Sequence, residues 1–215
     1  MRFNAEYRER ATLKDGREVI LRLLRPSDRG RIARGFSKLS PEGRYKRFLT
    51  GKPRLSSAEL DYLTDVDQQT HVAIGAVLAN QDGSEGEGVG IARYILSQKD
   101  ENDGPSVVAD TAIVVMDEAQ GVGLGSLLFR RLADAACERG VTRFRGEVLA
   151  TNEAMLALTR HLDADSEPVI HDGIAAVELK IAEESEAEPR PTSLLRAFAE
   201  GAAAIHEFLA WRRDE

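Results

Sequence analysis

The run Gln120-Gly121-Val122-Gly123-Leu124-Gly125 constrains this chain more than any other stretch. It follows an apolar, strand-like segment from Val107 to Met116. It opens an Ala- and Leu-rich segment from Gly125 to Arg139, where Leu127, Leu128, Leu132, Ala135 and Ala136 fall on one helical face. The glycines let the backbone turn tightly without side-chain obstruction. The first N–H groups of the helix then lack helical acceptors and sit at the positive end of its dipole, which makes the junction a site for a diphosphate. A dinucleotide fingerprint needs G-x-G-x-x-G, whereas the glycines here fall as G-x-G-x-G, and no acidic ribose ligand ends the next strand at the expected distance. Nothing matches G-x-x-x-x-G-K-S/T either. The pattern disfavours a dinucleotide or a nucleoside triphosphate and leaves a diphosphate open.

The segments around this junction set the fold class. Gly140 stops the helix, Arg143 to Leu149 reads as a strand and Asn152 to Leu162 as another helix, so a right-handed crossover joins two parallel strands. The earlier part reads as antiparallel. Strands run over Arg17 to Leu24, Val72 to Leu78 and Val89 to Leu96, the last two joined by the polar loop Gln81 to Gly88. Helices are expected over Arg29 to Leu39, with Ser27 or Asp28 as cap, over Pro41 to Phe48, and after the capping box Ser56-Ser57-Ala58-Glu59. A hairpin turning at Asp172-Gly173 closes the domain. The expectation is an α/β (α+β) chain: a mixed, mostly antiparallel sheet with helices on both faces.

Charge divides the chain unevenly. The whole carries 29 Lys and Arg against 36 Asp and Glu, net −7, which argues against nucleic-acid and anionic-membrane partners. Glu183 to Glu215 holds eight acids and four bases, leaving −3 for residues 1–182. Residues 183–191 (EESEAEPRP) read as an acidic, proline-interrupted linker. In residues 192–215, Leu195, Phe198, Ala202, Ile205 and Leu209 form one apolar stripe of a C-terminal helix. The stripe either folds back on its own domain or makes a homodimer contact. One cysteine, Cys137, excludes an intramolecular disulfide framework, and the four scattered histidines show no metal-ligand spacing. No stretch is apolar enough for a membrane span, and the first residues lack an apolar signal core. A soluble, cytoplasmic protein without a metal is expected.

Gln120, Gly123 and Gly125 match the acyl-CoA motif Gln/Arg-x-x-Gly-x-Gly/Ala. With the strand Gly146-Glu147-Val148-Leu149 and the segment Asn152-Glu153-Ala154-Met155, the chain resembles the GNAT superfamily of N-acetyltransferases. Leu23 to Asp28 and Leu39 to Phe48 are similar to the branch that contains bacterial protein-lysine acetyltransferase domains. The resemblance covers roughly residues 10–182, and the tail has no counterpart in the minimal fold. It implies a sheet whose central parallel strands splay apart, with the pantetheine arm of acetyl-CoA, or another acyl-CoA, in the gap. Main-chain groups of Ile113, Val114 and Val115 would meet that arm, and an N–H there would polarise the thioester carbonyl and stabilise the developing oxyanion. Gln120, Gly121, Val122, Gly123, Leu124, Gly125 and Ser126 would hold the diphosphate. Asn152 matches a position whose amide contacts the arm, although it also serves as a helix cap.

The implied reaction is direct attack of an amine on the thioester in a ternary complex. A lysine is mostly ammonium at neutral pH, so a general base is required. Asp110 and Glu147 occupy the two strand positions where members carry an acidic residue. An ion pair between Glu147 and Arg145, two residues apart on one strand face, is the structural alternative. Many members place a Tyr seven residues after the Asn to protonate the departing thiolate; here that position is Thr159. Three readings stay open: a protein-lysine acetyltransferase, a small-molecule amine acetyltransferase, and a non-catalytic CoA-binding regulatory module.

Overall fold

The structure is a computed structural model that describes residues 2–39, 53–97, 107–151, 156 and 167–181. Eight strands form one sheet. They are β1 (Arg8–Thr12), β2 (Glu18–Leu23), β3 (His71–Ala79), β4 (Glu85–Leu96), β5 (Val108–Val115), β6 (Arg143–Leu149), β7 (Val169–His171) and β8 (Ile174–Lys180). Their spatial order is β1-β2-β3-β4-β5-β6-β8-β7. Every neighbouring pair is antiparallel except β5 with β6. That pair is joined through the helix α3 (Leu124–Cys137), the crossover expected from the strand-helix-strand succession. Two further helices, α1 (Arg29–Lys38) and α2 (Ser57–Thr64), follow β2.

The two faces of the sheet are built differently. On one, Leu124, Leu128, Leu132, Ala135 and Ala136 of α3 pack on alternate residues of the strands, among them Ile74, Ala92, Tyr94, Ile113, Val115 and Phe144. The stripe begins at Leu124, and Leu127 lies at its half-buried margin. Gly90 sets the closeness of this contact: a Cβ there would stand 2.9 Å from Leu128 Cδ1 and 3.2 Å from Leu124 Cδ2. On the opposite face, Phe36 and Leu39 pack with Ala112 and Met116, and Val114 lies against them.

Local signals placed the helix starts. The capping box of α2 is formed: Glu59 N–H donates to Ser56 Oγ (3.2 Å) and Ser56 N–H to Glu59 Oε2 (2.7 Å). Asp28 is the N-cap residue of α1 but makes no side-chain capping bond to it. Its carboxylate instead takes two bonds of 2.7 Å from the guanidinium of Arg22 in β2 and one from Arg25 N–H (2.9 Å). Burial alone would raise the Asp28 pKa, and these bonds outweigh it and hold the carboxyl below its usual range. Arg22 also bonds Glu85 at the start of β4 through Nε (2.9 Å) and Nη2 (2.8 Å). The cluster anchors the turn before α1 to two strands.

Strand β1 lies outside the expected elements. Its sequence Arg-Glu-Arg-Ala-Thr has no apolar alternation, because it is an edge strand paired only with β2. Strand β4 begins at Glu85, so the glycine-containing stretch expected as loop is half strand, with a register shift against β3 near Val77. The segment Pro41 to Phe48, most of the Asn152 to Leu162 segment and the linker and tail lie outside the described residues.

Candidate functional site

Strands β5 and β6 pair over only three rungs: Val108 with Arg143, Ala109 with Phe144 and Asp110 with Arg145. Beyond them β5 runs on to Val115 against β4 alone, while β6 runs on to Leu149 against β8. The sheet therefore opens in a V whose apex is Asp110 and Arg145. Hydrogen bonds fix which groups face the opening. Ser97 N–H donates to Val108 C=O (3.0 Å) and Met116 N–H to Val89 C=O (2.9 Å), so even-numbered positions of β5 turn their main chain to β4. Val107 C=O accepts from Thr142 N–H (2.9 Å), so odd-numbered positions turn theirs toward β6. Ile113 and Val115 thus present main-chain groups to the opening. The main chain of Val114 faces β4, and its side chain lies on the α1 side.

The wide end of the V meets the glycine turn. Gly121 (φ 74°) and Gly123 (φ 91°) are both left-handed, the region where a side chain is disfavoured. The first helical bond of α3 runs from Leu127 N–H to Gly123 C=O (3.1 Å), so the N–H groups of Leu124, Gly125 and Ser126 precede it. Gly123 as N-cap supplies no side-chain bond. The Ser126 hydroxyl is buried in this first turn with no hydrogen-bond partner among the described residues. The Gln120 side chain works as a brace, donating from Nε2 to Val115 C=O (3.2 Å) and Asp117 Oδ1 (3.0 Å).

Sequence reading missed the support beneath this turn. Lys14 N–H, in the β1–β2 loop, donates to Val122 C=O (3.1 Å), and Arg17 Nη2 donates to Glu118 C=O (2.7 Å). Such contacts depend on strand pairing and carry no local signature.

Asp110 stands at the apex, and Glu147 lies two residues beyond it along β6. Register puts Asp110 opposite Arg145, and alternation puts Glu147 two residues further along the same face, the one that α1 packs on. Ser97 Oγ donates to Asp110 Oδ2 (2.9 Å), a second contact the sequence did not announce. Arg145 lies 3.6 Å from Glu178 Oε2 on β8, a cross-strand ion pair. Asn152 and Thr159 lie outside the described residues.

On the same face, between α1, α2 and strands β3 to β5, is a cavity of about 110 Å³, lined by Phe36, Leu39, Leu55, Ile91, Val114 and Met116 among others. His71, on the rung of Ile95, stands near it. Its Nε2 is 3.4 Å from Nη1 of the buried Arg93, which also donates to Leu63 C=O (3.2 Å). Burial, and then the Arg93 charge, push the His71 pKa down to about 4. The unfolded ring binds a proton near pH 6.5 that the folded ring refuses until about pH 4. Stability is therefore fully present above pH 6.5, lost as pH falls to 4, and level below. The loss expected is at most about 3 kcal/mol. Urea unfolding at pH 7 and 4.5 should show this slope in the wild type and a flatter one in His71→Gln; equal slopes would refute it.

Among the described residues, no group of three or more His, Cys, Asp or Glu could hold a metal, and no helix is long and apolar enough to cross a membrane.

The model of a family described as "Acetyltransferase (GNAT) family" matches residues 43–163. An acetyltransferase of Pseudomonas aeruginosa is 37% identical over 144 residues, 67% of this chain and 73% of its own length. The acetyltransferase Pat of Mycolicibacterium smegmatis is 32% identical over 152 residues, 71% of this chain; the chain spans only 43% of that relative. Among solved structures, the GNAT domain of S. lividans PAT superposes with a TM-score of 0.68 at 28% identity, covering 83% of this chain and 99% of that one.

Proposed function

Since the chain belongs to the acetyltransferase (GNAT) family and is an acetyl-CoA-dependent acetyltransferase, we propose that it acetylates a primary amine, a protein lysine, on the α1 face of the sheet. The observation that carries this is the V itself, with a helix N-terminus at its wide end, the carboxylate of Asp110 at its apex and Glu147 two residues along β6 on the same face.

The residues present fit acetyl-CoA. Two left-handed glycines leave the turn clear of side chains, and the orphaned Ser126 hydroxyl is a buried donor that a phosphate oxygen would satisfy. We assign the diphosphate to the amides from Val122 to Ser126, with Gln120 and Gly121 shaping the turn. Asp110 to Val115 spans five residue steps, roughly 17 Å at ~3.3 Å each, a length the extended pantetheine arm covers. Ile113 and Val115 would bond that arm as a missing strand would, and Asn152 would add its amide. When bound, acetyl-CoA supplies an acyl group already activated as a thioester.

The rest falls to the protein. The Ile113 N–H polarises the thioester carbonyl from the edge of the core. Asp110, oriented by Ser97, takes the proton of the incoming amine, directly or through one water. Glu147 stands on the same face as the second carboxylate able to do so. Two features support a protein lysine. One is the likeness of the amino-terminal segments to protein-lysine acetyltransferase domains. The other is the face of β8 and β7 beside the apex, where Ala176, Lys180 and Val169 are exposed and leave room for a polypeptide. The apolar cavity is the observation that favours a small amine instead. Release of CoA thiol, measured with lysine peptides and with small amines, decides between them. Turnover is expected on peptides, and turnover confined to small amines would overturn the reading.

A further inference from the structure

We propose that Lys14, in the loop between β1 and β2, is the cation that meets the phosphates of acetyl-CoA; this rests on the reading of the glycine turn as the phosphate site. Residues 117–126 carry two carboxylates, Asp117 and Glu118, and no cation. The one long polar side chain of the turn, Gln120, is committed to Val115 and Asp117. A positive side chain that strengthens the hold on a phosphate there must come from outside this segment.

The β1–β2 loop supplies it. The loop is held in shape by Leu13 N–H to Arg17 C=O (2.8 Å), Gly16 N–H to Leu13 C=O (3.0 Å) and the left-handed Gly16 (φ 86°), over a buried Leu13. Its two cations have different tasks. Arg17 is bound to Asp15 (2.6 Å) and to Glu118 C=O, which docks the loop on the turn. Lys14 is fixed through its own N–H to Val122, the residue between the two left-handed glycines. Its side chain is exposed and makes no ion pair among the described residues. A flexible four-carbon stem carries its ammonium from a backbone position that is itself part of the turn.

The test uses the full chain and three acyl donors: acetyl-CoA, 3′-dephospho-acetyl-CoA and S-acetylpantetheine, which has no phosphate. Lys14→Gln should raise KM for acetyl-CoA about three- to tenfold with kcat unchanged, and the gap should narrow as salt rises. Lys14→Arg should restore most of it, and KM for S-acetylpantetheine should be the same in both proteins. A penalty retained with the dephospho donor assigns Lys14 to the diphosphate, and a penalty lost assigns it to the 3′-phosphate. An unchanged KM for acetyl-CoA in Lys14→Gln overturns the inference, as does an equal rise with S-acetylpantetheine, which would mark a merely structural loop. If the wild type itself does not prefer acetyl-CoA to S-acetylpantetheine, it is the reading of the turn that fails.

Discussion

Asp110→Asn is expected to lower kcat about 10²- to 10⁴-fold, the range a positioned general base contributes, while binding of acetyl-CoA stays near the wild-type value. The substitution keeps the size and the Ser97 contact but removes the proton acceptor. Binding should survive because the proposed cofactor groups, the main chain from Ile113 to Ser126 together with the Ser126 hydroxyl, the Asn152 amide and the Lys14 ammonium, all belong to other residues. Calorimetry with CoA and steady-state kinetics with a lysine peptide separate the two quantities. Glu147→Gln belongs in the same assay, since both carboxylates share a face beside the apex. If it loses turnover and Asp110→Asn does not, the base is Glu147. If the wild type binds CoA and no acceptor is turned over, the domain is a non-catalytic CoA-binding module. Ser97→Ala should cost less than Asp110→Asn, because Ser97 only orients the carboxylate.

The largest loss of stability should come from Asp28→Ala. Arg22 and Asp28 are each 2–3% exposed and joined by a bidentate pair, with Arg31 (3.1 Å) and Glu85 closing the cluster. Removing the carboxylate leaves a buried guanidinium with only part of its compensation, a change that costs about 3–5 kcal/mol. Because the folded Asp28 is held below the ordinary carboxyl range, its contribution is present at neutral pH and lost as pH falls through that lowered value. Denaturant unfolding should show a large drop at pH 7 that shrinks toward strong acid. The double variant Arg22→Met with Asp28→Leu should recover much of the loss, since a well-packed apolar pair replaces a buried ion pair at little cost. A loss below about 1 kcal/mol in Asp28→Ala, the value of an exposed pair, would refute the buried-cluster account. The cluster matters to the site because it ties the turn before α1 to β2 and β4, and α1 roofs the cavity.

What could be read from sequence was whatever the backbone writes locally. The left-handed glycines, the capping box of α2, the turn at Asp172-Gly173 and the apolar runs of β3 and β5 each follow from neighbours in the chain. What escaped depends on partners far away in sequence. Arg22 sits in a strand that is otherwise apolar, and nothing nearby marks it as paired with Glu85, 63 residues on. Strand β1 escaped because five mostly polar residues become a strand only once β2 offers its edge. Lys14 and Ser97 look like ordinary loop residues until register brings them to Val122 and Asp110. The alternation that put Arg145 and Glu147 on one face was sound, but it could not reveal that β8 also offers Arg145 a carboxylate, Glu178.

The ladder that joins β1 to β5 with β6, β8 and β7 has three rungs, those between β5 and β6. A donor whose arm bonded Ile113 and Val115, as proposed, would extend that short seam. Binding free energy then counts as cohesion of the sheet. On that reading the substrate would stand in for a strand that the fold was left without.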